Sequence, residues 1–286
     1  MAELILGGKT LTQGFEQKER FSSLLWGQAG CGKTTLAATA PGKKLWINFD
    51  PDGPSSVTGL SKQFAGKDTA LSNEIYVYDL SAETHKITEQ FKKDDHLKLG
   101  ALLADDSNGI ETVVVDSVTR FAQLALENVV QRDIGKGGSW SPSIETPGQT
   151  AYGARNILTY RMFTDIFTIT KRHNKNVIFI THEAAPHTDD KGNTLFITMA
   201  LGGQLPGLGS AQLSEVWHME QTSQGRRIQV RPCRSFKPMK TRMFKETTEP
   251  EFWWKYDIEK PEPRMEIATW WQDKQTNGTK IPFPKV

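Results

Sequence analysis

With 286 residues, 37 % of them apolar, the chain is long enough to bury one large core or two modest ones. Lys and Arg (35) nearly balance Asp and Glu (33), so overall charge does not mark a nucleic-acid binder, although a local basic patch stays open. Two cysteines, Cys31 and Cys233, exclude a disulfide framework; no apolar run nears the ~20 residues of a membrane span, and "MAELILGGKT" lacks a signal peptide's basic start and apolar core. These features predict a soluble cytoplasmic protein with no membrane contact.

In chain order, "SSLLWG" (22–27) reads as a strand and "KTTLAATA" (33–40) as a helix. "KLWINFD" (44–50) is a second strand ending in the turn "PDGPSS", and "IYVYDL" (75–80) a third. A polar amphipathic helix is expected over 86–105. "ETVVVDS" (111–117) is nearly all apolar, as strands covered on both faces are. Apolar spacing of three and four predicts a helix over 118–134, and another over 151–174 leads into the buried strand "NVIFITHE" (176–183). Residues 135–149 and 183–210 read as loops, the second with a hairpin around Asp190–Asn193 and then a glycine-rich passage. "EVWHME" and "RIQVRP" look like later strands. Strands alternating with helices predict an α/β fold with a mostly parallel sheet.

"GQAGCGKT" fits the P-loop pattern G-x-x-x-x-G-K-[ST] between a predicted strand and a predicted helix. Its cradle is Gly27, Gln28, Ala29, Gly30, Cys31, Gly32, Lys33, Thr34 and Thr35. Glycines let the backbone wrap phosphates closely, and the wrapped N–H groups and helix N-terminus face the anion. Lys33 supplies a charge to the β- and γ-phosphates, and Thr34 a hydroxyl for Mg²⁺. Cys31 reads as a small filler. Asp116, ending the buried strand, is placed to hold Mg²⁺ through water; capping the next helix is the alternative. ATP and Mg²⁺ are thus the expected cofactors. Asp50 and Asp52 in "INFDPDG" can face the γ-phosphate or serve only the tight turn; function is favoured for Asp52. His182 and His187 are five apart across Pro186, which excludes the H-E-x-x-H zinc pattern.

These motifs resemble the RecA-like P-loop ATPases over about residues 20–245, most of all the phage-type RecA-core ATPases that assist single-strand annealing and recombination. "VVVDSVTRF" is similar to the family's Walker B strand, "INFDPDG" to its strand with the catalytic glutamate, and "VIFITHE" to V-I-F-I-N-Q. The resemblance implies a RecA-like core in which Asp52 orients the attacking water and His182 senses the γ-phosphate. "KPMKTRMF" looks like the element that reaches a neighbour's nucleotide, which implies roles for Lys240 and Arg242 and a homo-oligomer, ring or filament. The loops at 135–149 and 183–210 match those that line the DNA channel. Asp52 is shorter than glutamate and His182 replaces glutamine, so turnover is expected to be slow.

The resulting division is 1–20 as an N-terminal segment, 21–245 as the ATPase core and 246–286 as a Trp- and Pro-rich tail. Lys136, Trp140, Lys191 and Phe196 are the expected contacts for single-stranded DNA, since bases stack on exposed aromatics without sequence preference. Trp140 can equally be a packing anchor. Trp253–Trp254 and Trp270–Trp271 are expected to pack the tail on the body or a neighbour. Three functions are weighed. The first is a DNA-stimulated ATPase for annealing or recombination, with a single-strand DNA-binding protein as a further partner. The second is a nucleotide-switched assembly factor for replication or packaging. A small-molecule kinase is disfavoured, because no arginine-rich lid is evident.

Overall fold

The computed structural model describes residues 5–6, 9–10, 19–51, 53–90, 95–134, 147–232, 236–247 and 249–285. A small hairpin pairs β1 (Ile5–Leu6) with β2 (Lys9–Thr10). The core alternates β3 (Ser22–Gly27), α1 (Lys33–Ala38), β4 (Lys43–Asn48), α2 (Leu60–Gln63), β5 (Ile75–Asp79), α3 (Ile87–Gln90), α4 (Asp95–Ala104), β6 (Ile110–Asp116), α5 (Val118–Ile134), α6 (Gln149–Arg172) and β7 (Asn176–His182). Then come a hairpin of β8 (His187–Thr188) and β9 (Thr194–Phe196), α7 (Leu205–Gln212), β10 (Glu215–Thr222), β11 (Gly225–Gln229), β12 (Glu251–Trp253) and α8 (Ile267–Asn277).

Eight strands form one sheet in the order β12-β11-β10-β3-β7-β6-β4-β5. Six neighbours from β10 to β5 run parallel, and β11 and β12 add antiparallel at one edge. Successive strand residues point to opposite faces, and both faces are covered. Leu24, Trp26, Val113, Val115 and Phe179 meet α5 and α6 on one face. Leu25, Val114, Ile178 and Trp217 face α1, α8 and the aromatic residues of the C-terminal segment on the other. This arrangement is the mixed α/β, mostly parallel architecture that the alternation predicts.

Three elements differ from the pattern read in the sequence. The glycine-rich passage after the hairpin contains α7, with Pro206 in its first turn and Gly209 close against the Phe163 ring; a proline there costs nothing, because its missing N–H would have no helical partner. The region 86–105 holds two helices, α3 and α4, among its described residues. The stretch beyond Glu246 has ordered structure. β12 extends the sheet, Trp254 and Trp270 are fully buried, and Trp270 packs edge-on to Phe244 and Phe252. Among the described residues, no helix is long and apolar enough to cross a membrane.

Candidate functional site

Parallel strands end together, and the crevice beyond their carboxyl ends is where such sheets bind ligands. Here β4, β6 and β7 deliver Asp50, Asp116 and His182 to one cavity of about 420 Å³, and the loop that follows β3 lines it with Ala29, Gly30 and Gly32. Gln28, Ala29 and Gly30 form an exposed crest, Cys31 is buried beneath it, and Thr35 lines the cavity's far side. A Cβ at Gly27 would run into the Met219 carbonyl of β10, so only glycine lets these strands meet as the loop begins. Gly32 sits at φ 100°, where L side chains are strained, and opens α1.

Lys33 is buried and its Nζ donates to the Gly27 carbonyl at 3.0 Å and the Gln28 carbonyl at 2.6 Å, so the ammonium ties the loop's two ends together. Thr34 Oγ1 donates to Asp116 Oδ2 at 3.2 Å. Burial, and the Asp50 charge after it, push the Asp116 carboxyl up to about 6, against the Thr34 hydrogen bond and the Lys33 charge. Opposite, Asp50 Oδ2 lies 3.2 Å from His182 Nε2 and accepts from Ser117 Oγ at 3.4 Å. The His182 hydrogen bond is the main cause holding the Asp50 carboxyl below its ordinary range. Asn48 fixes this turn: its amide nitrogen donates to the Asp50 carbonyl and to Asp79, and its oxygen accepts from the Asp50 N–H.

The donor set suits a hard divalent cation. Thr34 and Asp116 offer oxygen ligands side by side, and a cation would relieve the buried Asp116 carboxylate, whose ionisation the Asp50 charge opposes. The wrapped loop and Lys33 suit polyphosphate oxygens.

Of the other residues singled out in the sequence, Asp52, Lys136 and Trp140 lie outside the described residues. Lys191 is exposed at the tip of the β8–β9 hairpin, and Phe196 stacks on His187 at 4.3 Å between ring centres. His182 and His187 therefore turn to different partners, Asp50 and Phe196. Lys240 and Arg242 lie at the other end of the sheet from the chain's own P-loop. Lys240 is bridged to Val216, and the Arg242 N–H donates to Glu215, at the end of β10 that pairs with Ser23 and Leu24 rather than with Gly27. An extended, alternating segment predicts two side chains projecting alike; instead Lys240 Nζ donates to the Leu213 and Ala211 carbonyls at the end of α7, and Arg242 is exposed. The ammonium takes up helix-terminal carbonyls that lack intrahelical partners.

Arg226 is the charged cavity residue, among those described, that escaped the sequence reading, beside Gly53, Ser56 and Ile180. Arg226, on β11, lines the cavity, and a Cβ at Gly32 would stand 3.2 Å from its side chain. The only sequence signal was the pair Arg226–Arg227 opening a strand, and the partners show how the two differ. Arg227 is held by Glu220 and Glu251, while Arg226 turns to the loop.

A P-loop between strand and helix, an acidic residue ending a neighbouring parallel strand and a hydroxyl–carboxylate pair between them define a P-loop nucleoside triphosphatase core. The AAA domain family matches residues 19–241, and the chain belongs to that family. The family brings nucleotide binding and hydrolysis with it. No curated protein matches the chain.

Proposed function

We propose that this AAA-family ATPase is of the phage RecA type: it binds single-stranded DNA, hydrolyses ATP slowly under DNA stimulation, and promotes strand annealing or recombination. The observation that carries the reading is the contact between His182 and Asp50 across the cavity from Lys33, at the end of the strand that leads into the β8–β9 hairpin. The loop and Lys33 bind the β- and γ-phosphates. Thr34 and Asp116 would hold magnesium, which when bound neutralises phosphate charge. Asp52 orients the attacking water in this reading. Asp50 orients His182, whose ring reads the γ-phosphate.

The link to DNA runs along β7. Glu183 follows His182 directly, donates its N–H to the Gly27 carbonyl, and accepts from the exposed Gln28 at 3.4 Å. The hairpin beyond it exposes Lys191 and Leu195. Occupancy at the γ-phosphate thus has a short mechanical route to a candidate strand-binding loop. Lys136 and Trp140 supply the second contact in this reading. Arg242, exposed far from its own P-loop, acts in a neighbour's site within a head-to-tail ring or filament, the arrangement that a heterologous interface generates.

One feature favours the second reading, an assembly ATPase with little DNA contact. β5 is a sheet edge that exposes Tyr76, Val77 and Tyr78, a surface suited to protein. ATP hydrolysis with and without single-stranded DNA, beside a salt titration of DNA binding, decides. DNA stimulation and an affinity that falls steeply with salt are expected. Hydrolysis indifferent to DNA, with no binding at low salt, favours assembly.

A further inference from the structure

Beside the cavity above the P-loop lies a second one of about 500 Å³, a size suited to a small-molecule ligand. The two share Thr35 and Arg226. We propose that this second cavity receives the base and ribose of the bound nucleotide, so that the segment beyond the AAA match completes the ATP site. The inference rests on the reading that the P-loop holds the phosphates.

Direction is the first argument. Asp50, Asp116 and His182 line the first cavity and not the second, which marks the first as the γ-phosphate end. Thr35, next after Thr34, lines both cavities, so the α-phosphate and what it carries leave past Thr35. That path enters the second cavity.

Chemistry is the second argument. The apolar part of the wall is Trp253, Trp254 and Ile258, and the polar rim includes Gln224, Lys255 and Asp257. Trp254 is buried, stacks on Tyr256 at 5.2 Å with rings nearly parallel, and brings its ring edge to within 3.2 Å of where a Cβ on Gly32 would stand. Arg226 spans the boundary. Its guanidinium lies over Trp254 at 5.9 Å, and its Nε donates to Gln221 at 3.1 Å. A cation at the α-phosphate, a planar apolar wall and amide and carboxylate groups at the mouth suit a heteroaromatic base on a ribose. They do not suit a bare anion, which has no use for the tryptophans.

The third argument is position in the chain. Trp253 to Ile258 lie beyond residue 241, where the AAA match ends. The phosphate half of the site comes from residues inside the match, and the nucleoside half largely from β12 and the five residues Trp254 to Ile258 after it.

The test compares magnesium-ATP with magnesium tripolyphosphate, which has the phosphates and no nucleoside. Wild-type protein should bind ATP about tenfold or more tightly than tripolyphosphate, because a stacked base adds affinity that phosphates cannot. Trp253→Ala should weaken ATP about fivefold or more and tripolyphosphate less than about twofold. Photolabelling with 8-azido-ATP, which needs no variant, should mark peptides within 221–226 or 253–258. Equal affinities for ATP and tripolyphosphate in wild type, or labelling confined to other peptides, overturn the nucleoside cavity and leave the phosphate reading standing. Failure to bind either ligand overturns both.

Discussion

The two ends of the parallel sheet each bury a carboxylate, and the contrast separates a structural acid from one positioned for a ligand. At the amino end, burial pushes Glu215 up to about 7, yet its oxygens accept from Trp217 Nε1 at 3.0 Å, Thr241 Oγ1 at 2.6 Å and the Arg242 N–H at 2.9 Å. At the carboxyl end, burial pushes Asp116 up to about 6, and among the described residues its carboxylate accepts from Thr34 Oγ1 at 3.2 Å. Burial acts in the same direction at both. The donors differ: Glu215 pins the 241–242 turn to β10, whereas Asp116 faces a cavity, another carboxylate and a lysine already bonded to the loop. A raised carboxyl alone therefore does not mark a site; a raised carboxyl short of donors and facing a cavity does.

The sharpest way to break this contrast is turnover. Asp116→Asn is expected to lower kcat by about a hundredfold or more, since it removes charge from the phosphate-facing wall. Glu215→Gln should stay within about threefold of wild type, as changes remote from the reacting atoms do once the fold is kept. Steady-state ATP hydrolysis measures both, and similar losses would erase the distinction.

Arg242, at the amino end, is exposed, and its role depends on a neighbour. Mixing Arg242→Ala subunits with Lys33→Ala subunits should restore about tenfold more ATPase than either gives alone, because some interfaces then pair an intact loop with an intact arginine. A mixture no more active than its parts, with a monomeric mass in ATP and DNA, defeats the idea of a finger in trans.

Stability reverses the ranking. Glu215→Ala leaves the Trp217, Thr241 and Arg242 donors unpaired in a dry interior, and should cost about 2–4 kcal/mol in urea unfolding. A cost below about 1 kcal/mol would mean that water reaches those donors.

The same contrast shows what the sequence could and could not tell. The carboxyl end was largely legible because its signals are local. The P-loop packs its requirements into eight residues, and the apolar run before Asp116 states that the strand is buried. Arg226 was not legible, since its place is set by β11 pairing antiparallel with β10, far along the chain from Gly32. The direction of the Lys240 side chain was not legible for a related reason: alternation predicts direction in an extended segment, but the α7 carbonyls that hold the ammonium belong to a helix hidden in a glycine-rich stretch. The C-terminal tryptophans lacked a period because they pack in three dimensions, Trp254 against the loop and Trp270 against Phe244 and Phe252.

The smallest effect concerns pH, and it tests Asp116 without any nucleotide. Its folded-state carboxyl titrates at about 6 against an ordinary value of 3.8. For a carboxyl raised on folding, the favourable contribution is complete below about 4, where the group is protonated in both states, and is lost as pH rises through about 6. Asp116→Asn removes that titration and keeps a neutral group of similar shape. Nucleotide-free Asp116→Asn should therefore match wild type in stability near pH 4 and exceed it by about 1–3 kcal/mol at pH 7.5. Glu215 titrates in both proteins, so its contribution cancels from the difference. Urea unfolding at a series of pH values measures the gap. A gap that stays constant from pH 4 to 7.5 would show that the Asp116 carboxyl is not raised on folding. Saturating magnesium-ATP should close or reverse the gap, because a ligand that binds the native state stabilises the chain that can still hold it. A variant that is more stable empty, less stable loaded and nearly inactive would place the cost of burying Asp116 in the ligand's service rather than the fold's.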